Sequence, residues 1–224
     1  MLGLLTGGAE KMADILNKTD EELSVLLMAS DYSAMAVLID RYQAPLSRYL
    51  RRIGVHKDED VQDLLQDIFI KIYKNINSFN RDLSFSSWIY RISHNEAISF
   101  FRHNKSRPEG NMIDDSEEML FKIEDESVNL SEEIDQSINA KFLKQALSEL
   151  ELKYRDVLVL RYFEDRDYEN ISDILQIPKG SVATLIHRAK ERLKQRLKHL
   201  WLQNNTKDAG SETKKKNKTT WKIK

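Results

Sequence analysis

The chain has 224 residues, 35 Lys and Arg against 36 Asp and Glu, a formal net charge of −1, 41% hydrophobic residues and no cysteine. That apolar content suffices for packed cores, and the length fits two small domains as well as one of medium size. Without cysteine there is neither a disulfide framework nor a thiolate metal site, so a reducing compartment, the cytoplasm, is the simplest setting. The 5 histidines are scattered and no Gly-rich phosphate loop occurs, which disfavours a metalloenzyme or phosphohydrolase and implies no cofactor.

The near-neutral total hides blocks of opposite sign. Residues 1–39 carry a net charge of −4, residues 40–107 of +4, residues 108–139 of −10, residues 140–204 of +4 and residues 205–224 of +5. Two mildly basic bodies flanking an acidic connector suggest partners with strong fields of their own. From Met1 to Ala9 a few leucines occur without a basic leader, and no apolar stretch there is long enough for a signal peptide or a membrane span. Met12 is an equally good start, and residues 1–11 are assigned no function.

Only 7 Gly and 3 Pro punctuate the chain, and apolar residues recur at helical spacing, so the expected class is all-α. One periodic stretch is expected from Asp20 to Ile53, ending near Gly54, and a second from Asp58 to Ile76, followed by a polar loop from Asn77 to Ser84. A third runs from Phe85 to Arg102 and closes at His103 to Pro108. The expected architecture is two small helical domains joined by a flexible acidic linker. Its parts are a flexible N-terminal extension (1–19), a first helical domain (20–107), the linker (108–137), a second domain containing a helix-turn-helix (138–203) and a basic disordered tail (204–224).

In the second domain, Tyr168 to Leu175 predicts a short amphipathic helix, Gln176 to Gly180 a turn, and Ser181 to about Leu197 a longer helix. Ile171, Leu175, Ile177, Val182 and Ile186 can meet inside the bend, and small Ser172 allows close approach. Ser181 is expected to cap the second helix, whose N-terminus then faces phosphate favourably. Arg188, Lys190, Arg192, Lys194, Arg196 and Lys198 follow on it, a pattern that favours DNA binding over a plain solvated basic helix.

In the first domain, the helix of residues 63–69 gathers Leu64, Leu65, Ile68 and Ile72 on a core stripe. Asp60, Asp63, Gln66, Asp67, Ile70 and Lys74 fall on the opposite one. An isoleucine amid acids is either a protein contact or a stray apolar residue on a solvated face. The helix from Phe85 to Arg102 carries two apolar stripes, Phe85, Trp88, Ile89 and Ile92 against Tyr90, His94, Ala97 and Phe101, with Arg91, Asn95 and Arg102 between them. Such a helix either sits centrally in a core or offers aromatic and cationic groups to unpaired bases.

Taken together and in order, these motifs resemble the extracytoplasmic-function sigma factors of bacterial RNA polymerase, over about residues 34–107 and 138–200. The first half resembles the second conserved region of that family in Arg41-Tyr42, in residues 63–69 and in residues 85–95. Residues 154–161, 177–182 and 187–190 resemble its fourth. The resemblance implies a transcription initiation factor that is not an enzyme, with core RNA polymerase and promoter DNA as partners and an anti-sigma factor as an open third. It implies that Asp63, Gln66, Asp67, Phe69 and Ile70 dock on core polymerase. Phe79 and Asn80 would hold a flipped base of the minus-ten element, and Trp88, Arg91 and Asn95 would support strand separation there. Ser181, Thr184, His187 and Arg188 would meet the minus-thirty-five element. The acidic linker would lie in polymerase channels built for nucleic acid. The sequence departs from the family at Ala183 and Leu185, where Lys and Arg are frequent, and the lysine-rich tail either adds nonspecific phosphate attraction or is simply a solubilising end.

The resemblance leaves two rivals: a free-standing helix-turn-helix regulator, and an adaptor that only sequesters a partner.

Overall fold

The computed structural model describes residues 13–106 and 140–208. The acidic linker, residues 1–12 and residues 209–224 of the expected tail lie outside them. The described residues are all-α, with no strand among them, and they form two compact units: 13–106 together with Glu169–Ile177, and 140–168 together with 178–208. No helix among them is long and apolar enough to cross a membrane.

In the first unit, α1 spans Asp20–Met28. Thr19 caps it reciprocally: the Glu22 backbone N–H donates to Thr19 Oγ1 at 3.2 Å, and the Thr19 N–H donates to Glu22 Oε2 at 2.7 Å. Asp20, Glu21 and Glu22 place negative charge where the helix dipole favours it. The helix ends at Ala29, so the single stretch expected from Asp20 to Ile53 is in fact two helices. A turn separates them, with Ser30 left-handed at φ 64° and Asp31 accepting from the backbone N–H of Ser33 at 3.2 Å.

Helix α2 then runs Ser33–Ile53 and stops where expected, at Gly54. Gly54 has φ 117°, a left-handed conformation that favours glycine, and the Val55 N–H returns to the Leu50 carbonyl at 3.0 Å. Helix α3 spans Asp58–Asn75 and passes into a 3-10 turn, Ile76–Ser78; α4 spans Phe85–Ser106. Helix α4 packs against α1, α2 and α3. Phe85, Ile89 and Tyr90 on it are fully buried with Tyr49, Leu50, Ile68 and Ile72 from its neighbours, and the Tyr49 and Tyr90 rings meet edge-on at 5.4 Å. Each such side chain contributes about 1.5–3 kcal/mol by leaving water.

Residues 13–19 belong to this body, contrary to the expected flexible extension. Ile15 is buried. Arg41 on α2 donates to the Leu16 and Lys18 carbonyls, each at 2.8 Å, and to Asp20 at 2.7 Å, while the Tyr42 hydroxyl also bonds Asp20. One guanidinium therefore fixes both the approach to α1 and its first turn.

The second unit contains α5 (Ala140–Ser148), α6 (Leu152–Tyr162) and α8 (Lys179–Asp208), with α8 packed on α5 and α6. Helix α7 spans Tyr168–Leu175. Helix α8 buries Val182, Ile186, Ala189, Leu193, Leu197 and Leu200, a spacing of three and four that continues past the expected end at Leu197. Arg155 closes α5 by donating to the carbonyls of Leu147, Ser148 and Leu150 at 2.5–2.9 Å. Burial pushes its guanidinium below its usual value, opposed by the neighbouring Asp156 charge.

The capping box has a pH signature. Hydrogen bonds, first from the Thr19 backbone and then from its side chain, hold the Glu22 carboxyl below the usual glutamate value. Its folded value lies below its unfolded one, so its contribution is present at neutral pH and is lost as pH falls through the folded value. Thr19→Ala keeps the larger, backbone bond and removes the side-chain one, so it is expected to move the Glu22 titration, followed by NMR, only part of the way toward the ordinary glutamate range. A titration that does not move contradicts the reciprocal cap.

Candidate nucleic-acid and protein interfaces

The first surface is the solvent face of α3. At 100° per residue, Asp63, Gln66, Asp67 and Ile70 fall on one side, and all four are exposed, Ile70 at 40%. Asp63 and Asp67 have no ion-pair or hydrogen-bond partner among the described residues. Phe69 is different. It is 9% exposed, because it lies ~40° around the helix from core Leu65. Phe69 thus supports the face from its margin and is not presented by it.

The second surface is built by the loop after α3 and one side of α4. Here the sequence expectation needs correction for Phe79 and Trp88. Phe79 is 6% exposed, its ring 5.0 Å from Phe85 and 5.4 Å from Trp88, and Phe85 and Trp88 stack at 5.5 Å. These three aromatics form an internal cluster, since burying them removes far more apolar surface from water than leaving them on the loop. Neither Phe79 nor Trp88 offers an open ring face to a base.

Asn80 does stand outside. Its Oδ1 accepts from the Asp82 backbone N–H at 3.0 Å, and its carbonyl accepts from the Leu83 N–H at 3.1 Å. That local turn holds the loop through the Asn80 acceptors while the residue itself stays exposed. On α4, Phe85, Trp88 and Ile89 of the first apolar stripe and Tyr90 and Ala97 of the second are buried, as is Ser93, while Ile92, His94 and Phe101 are half-buried. Of the two readings for this helix, the central core position is the one observed. Arg91 and Asn95, four residues apart, remain half-exposed and exposed on one strip.

The third surface is the helix-turn-helix segment. Ser172 Oγ donates to the Ile177 carbonyl at 2.6 Å, and the Ile177 N–H donates to the Ser172 carbonyl at 3.2 Å. Gln176 has φ 54°, a left-handed conformation costing roughly 1–2 kcal/mol for a residue with a Cβ, and its Nε2 bonds the Asp173 carbonyl at 2.6 Å. Ile174 is buried and Leu175 half-buried, so the register differs by one residue from the expected bend.

Helix α8 starts at Lys179, two residues before the expected start. Ser181 therefore sits inside the first turn, its N–H bonded to the Pro178 carbonyl at 2.8 Å, and it is not the N-cap. Ser181, Thr184, His187 and Arg188 are all exposed. The cations further along are divided. Lys190 lies over the Tyr162 ring and Arg192 over the Tyr154 ring, each at 5.6 Å, and Arg196 pairs with Glu149 at 3.7 Å. These three face aromatics and an acid of their own unit, so the helix does not present cations along its whole length.

Sequence reasoning missed Tyr73 and Tyr32, exposed rings whose centroids lie 5.7 Å apart. Tyr73 was within reach, being three residues beyond Ile70 on the same stripe. Among the described residues no group of three or more His, Cys, Asp or Glu could hold a metal ion.

Two helical units carrying an exposed acidic face, a polar loop and a helix-turn-helix fit a transcription factor of the sigma class, and the comparisons with known proteins show that class. Residues 38–107 match Sigma-70 region 2, and residues 143–193 match Sigma-70, region 4. The ECF RNA polymerase sigma factor SigW of Bacillus subtilis is 34% identical over 181 residues, covering 76% of this chain and 92% of that protein. The RNA polymerase sigma-H factor of Pseudomonas aeruginosa is 29% identical over 194 residues, 83% of this chain and 97% of that protein. The structure of CnrH in complex with the cytosolic domain of CnrY has the same fold, with a TM-score of 0.58 at 20% identity over 80% of this chain and 97% of that one. The chain belongs to the extracytoplasmic-function (ECF) sigma factors of RNA polymerase. It recognises promoters and takes part in transcription initiation with that polymerase.

Proposed function

We propose that initiation by this factor is divided among the three surfaces, and that the chain makes and breaks no covalent bond. Core polymerase docks on the α3 face through Asp63, Gln66, Asp67 and Ile70, with Phe69 holding that face from behind. Asn80 takes a flipped base of the minus-ten element, while Arg91 and Asn95 hold the backbone of the separated strand. Phe79 and Trp88 act through packing, fixing the loop and the start of α4. Ser181, Thr184, His187 and Arg188 enter the major groove at the minus-thirty-five element, beside an N-terminus that favours phosphate.

The observation that carries this reading is the order of the two matched regions, 38–107 and then 143–193, with exposed polar residues at the expected positions of each. Energetics set the division of labour. Unstacking costs a few kcal/mol per step, and hydrogen bonds from a pre-formed loop offset part of it. The protein works where the polymerase works, in the cytoplasm. A partner of the anti-sigma kind fits as well, because the sigma factor RpoE of Bartonella quintana was solved with the anti-sigma factor NepR.

Two outcomes test the assignment. Changing Asp63→Lys and Gln66→Lys together is expected to abolish co-elution with core polymerase while leaving the helical circular-dichroism signal intact. Retained co-elution contradicts the docking face. Arg188→Ala is expected to reduce the salt slope of holoenzyme binding to promoter DNA by about 1. An unchanged slope removes Arg188 from the phosphate contacts.

A further inference from the structure

We infer that Tyr32 and Tyr73 form a preset aromatic pair that extends the polymerase-docking face of α3 beyond the region the family match covers, an inference that rests on the docking assignment above. Among the large apolar side chains left exposed in the described residues, Tyr32 at 59%, Tyr73 at 45% and Ile70 at 40% lie together at this place. Ile70 and Tyr73 are three residues apart on α3, and the Tyr32 and Tyr73 rings are 5.7 Å apart at a tilt of 48°. Tyr32 lies outside the matched residues 38–107 and enters the face from the turn between α1 and α2.

That turn is built to hold it. The Ser30 and Asp31 N–H groups return to the Leu27 and Leu26 carbonyls, each at 2.9 Å, and the Asp31 carboxylate accepts from the backbone and the hydroxyl of Ser33. Interaction with Tyr32, chiefly hydrogen bonding, raises the Tyr73 hydroxyl above its usual value. Fixing two rings before binding lowers the ordering cost that a protein contact otherwise carries.

The neighbouring charges define the occupant. Among the described residues Asp63 and Asp67 are unengaged on the same helix, whereas Asp58 is paired with Arg51 at 2.5 Å and Lys71 with Glu96 at 2.5 Å. A partner surface with cations beside an apolar ridge fits acids beside two tyrosines, and continuity with the docking face makes that partner core RNA polymerase. Tyrosine is among the residues that dominate such contacts.

The test titrates purified core RNA polymerase with the full chain and its variants. Tyr32→Ala and Tyr73→Ala are each expected to raise Kd about tenfold. Tyr32→Phe and Tyr73→Phe are expected to stay within about twofold, and the double alanine variant to fall short of the product of the singles because the rings touch. An unchanged thermal midpoint for Tyr32→Ala shows that the loss is at the surface. If both alanine variants bind core like the parent while the Asp63→Lys, Gln66→Lys variant fails, the aromatic extension is wrong and the docking face stands. If that doubly charged variant also binds normally, the docking face itself is wrong. Loss of an anti-sigma contact with core binding unchanged overturns the choice of occupant.

Discussion

Helix α4 is buried on two sides, and the rest of the first unit depends on that constraint. Its stripes cannot both be satisfied by one neighbour, so α1, α2 and α3 must surround it. Small Ser87, Ser93 and Ala97 are buried alongside Phe85, Ile89 and Tyr90, and the Ser93 hydroxyl is satisfied by the Ile89 carbonyl at 2.9 Å. With Phe85, Trp88, Ile89, Tyr90 and Ala97 committed inward, Arg91 and Asn95 remain on the outward side of this part of the helix. The aromatic cluster of Phe79, Phe85 and Trp88 then anchors the loop, and Asn80 is presented because its neighbour in sequence is held inside.

Charge is partitioned by the same logic of what the fold consumes. Helix α8 uses Lys190, Arg192 and Arg196 against Tyr162, Tyr154 and Glu149, which leaves its first turns, through Arg188, as the DNA-facing part in our proposal. Helix α3 pairs Asp58 and Lys71 but leaves Asp63 and Asp67 without partners among the described residues. Exposed ion pairs contribute little to stability, so the fold loses little by leaving those acids unengaged, and they remain available to a basic surface.

Much of the fold was legible in the sequence. The stop at Gly54 and the span of α3 followed from one glycine and an uninterrupted period. The break between α1 and α2 was not, because the turn uses Ser30 in a left-handed conformation where a glycine would have announced it. Asp31 and Ser33 were the remaining signal, since such residues bond their own backbone in turns. Residues 13–19 were misjudged because they are tied down by Arg41, which lies 21 residues and more along the chain, a relation that no local pattern displays.

For the surfaces, periodicity separated the two sides of α3 but could not say whether aromatics near a loop face inward or a partner. Phe79, Trp88 and Phe69, to which the resemblance gives partner contacts, are buried, whereas the polar positions Asp63, Gln66, Asn80, Asn95 and Arg188 are exposed as their chemistry suggests. The start of α8 moved from Ser181 to Lys179 because a serine in a first turn resembles a cap until the backbone bonds are seen. In this reading the chain redirects RNA polymerase to promoters of its own. Run-off transcription from a fragmented library of the host genome, with purified core polymerase and with or without the protein, tests it most directly. The account predicts discrete new transcripts sharing a two-part upstream motif; no new transcripts, together with no co-elution with core polymerase, would contradict it.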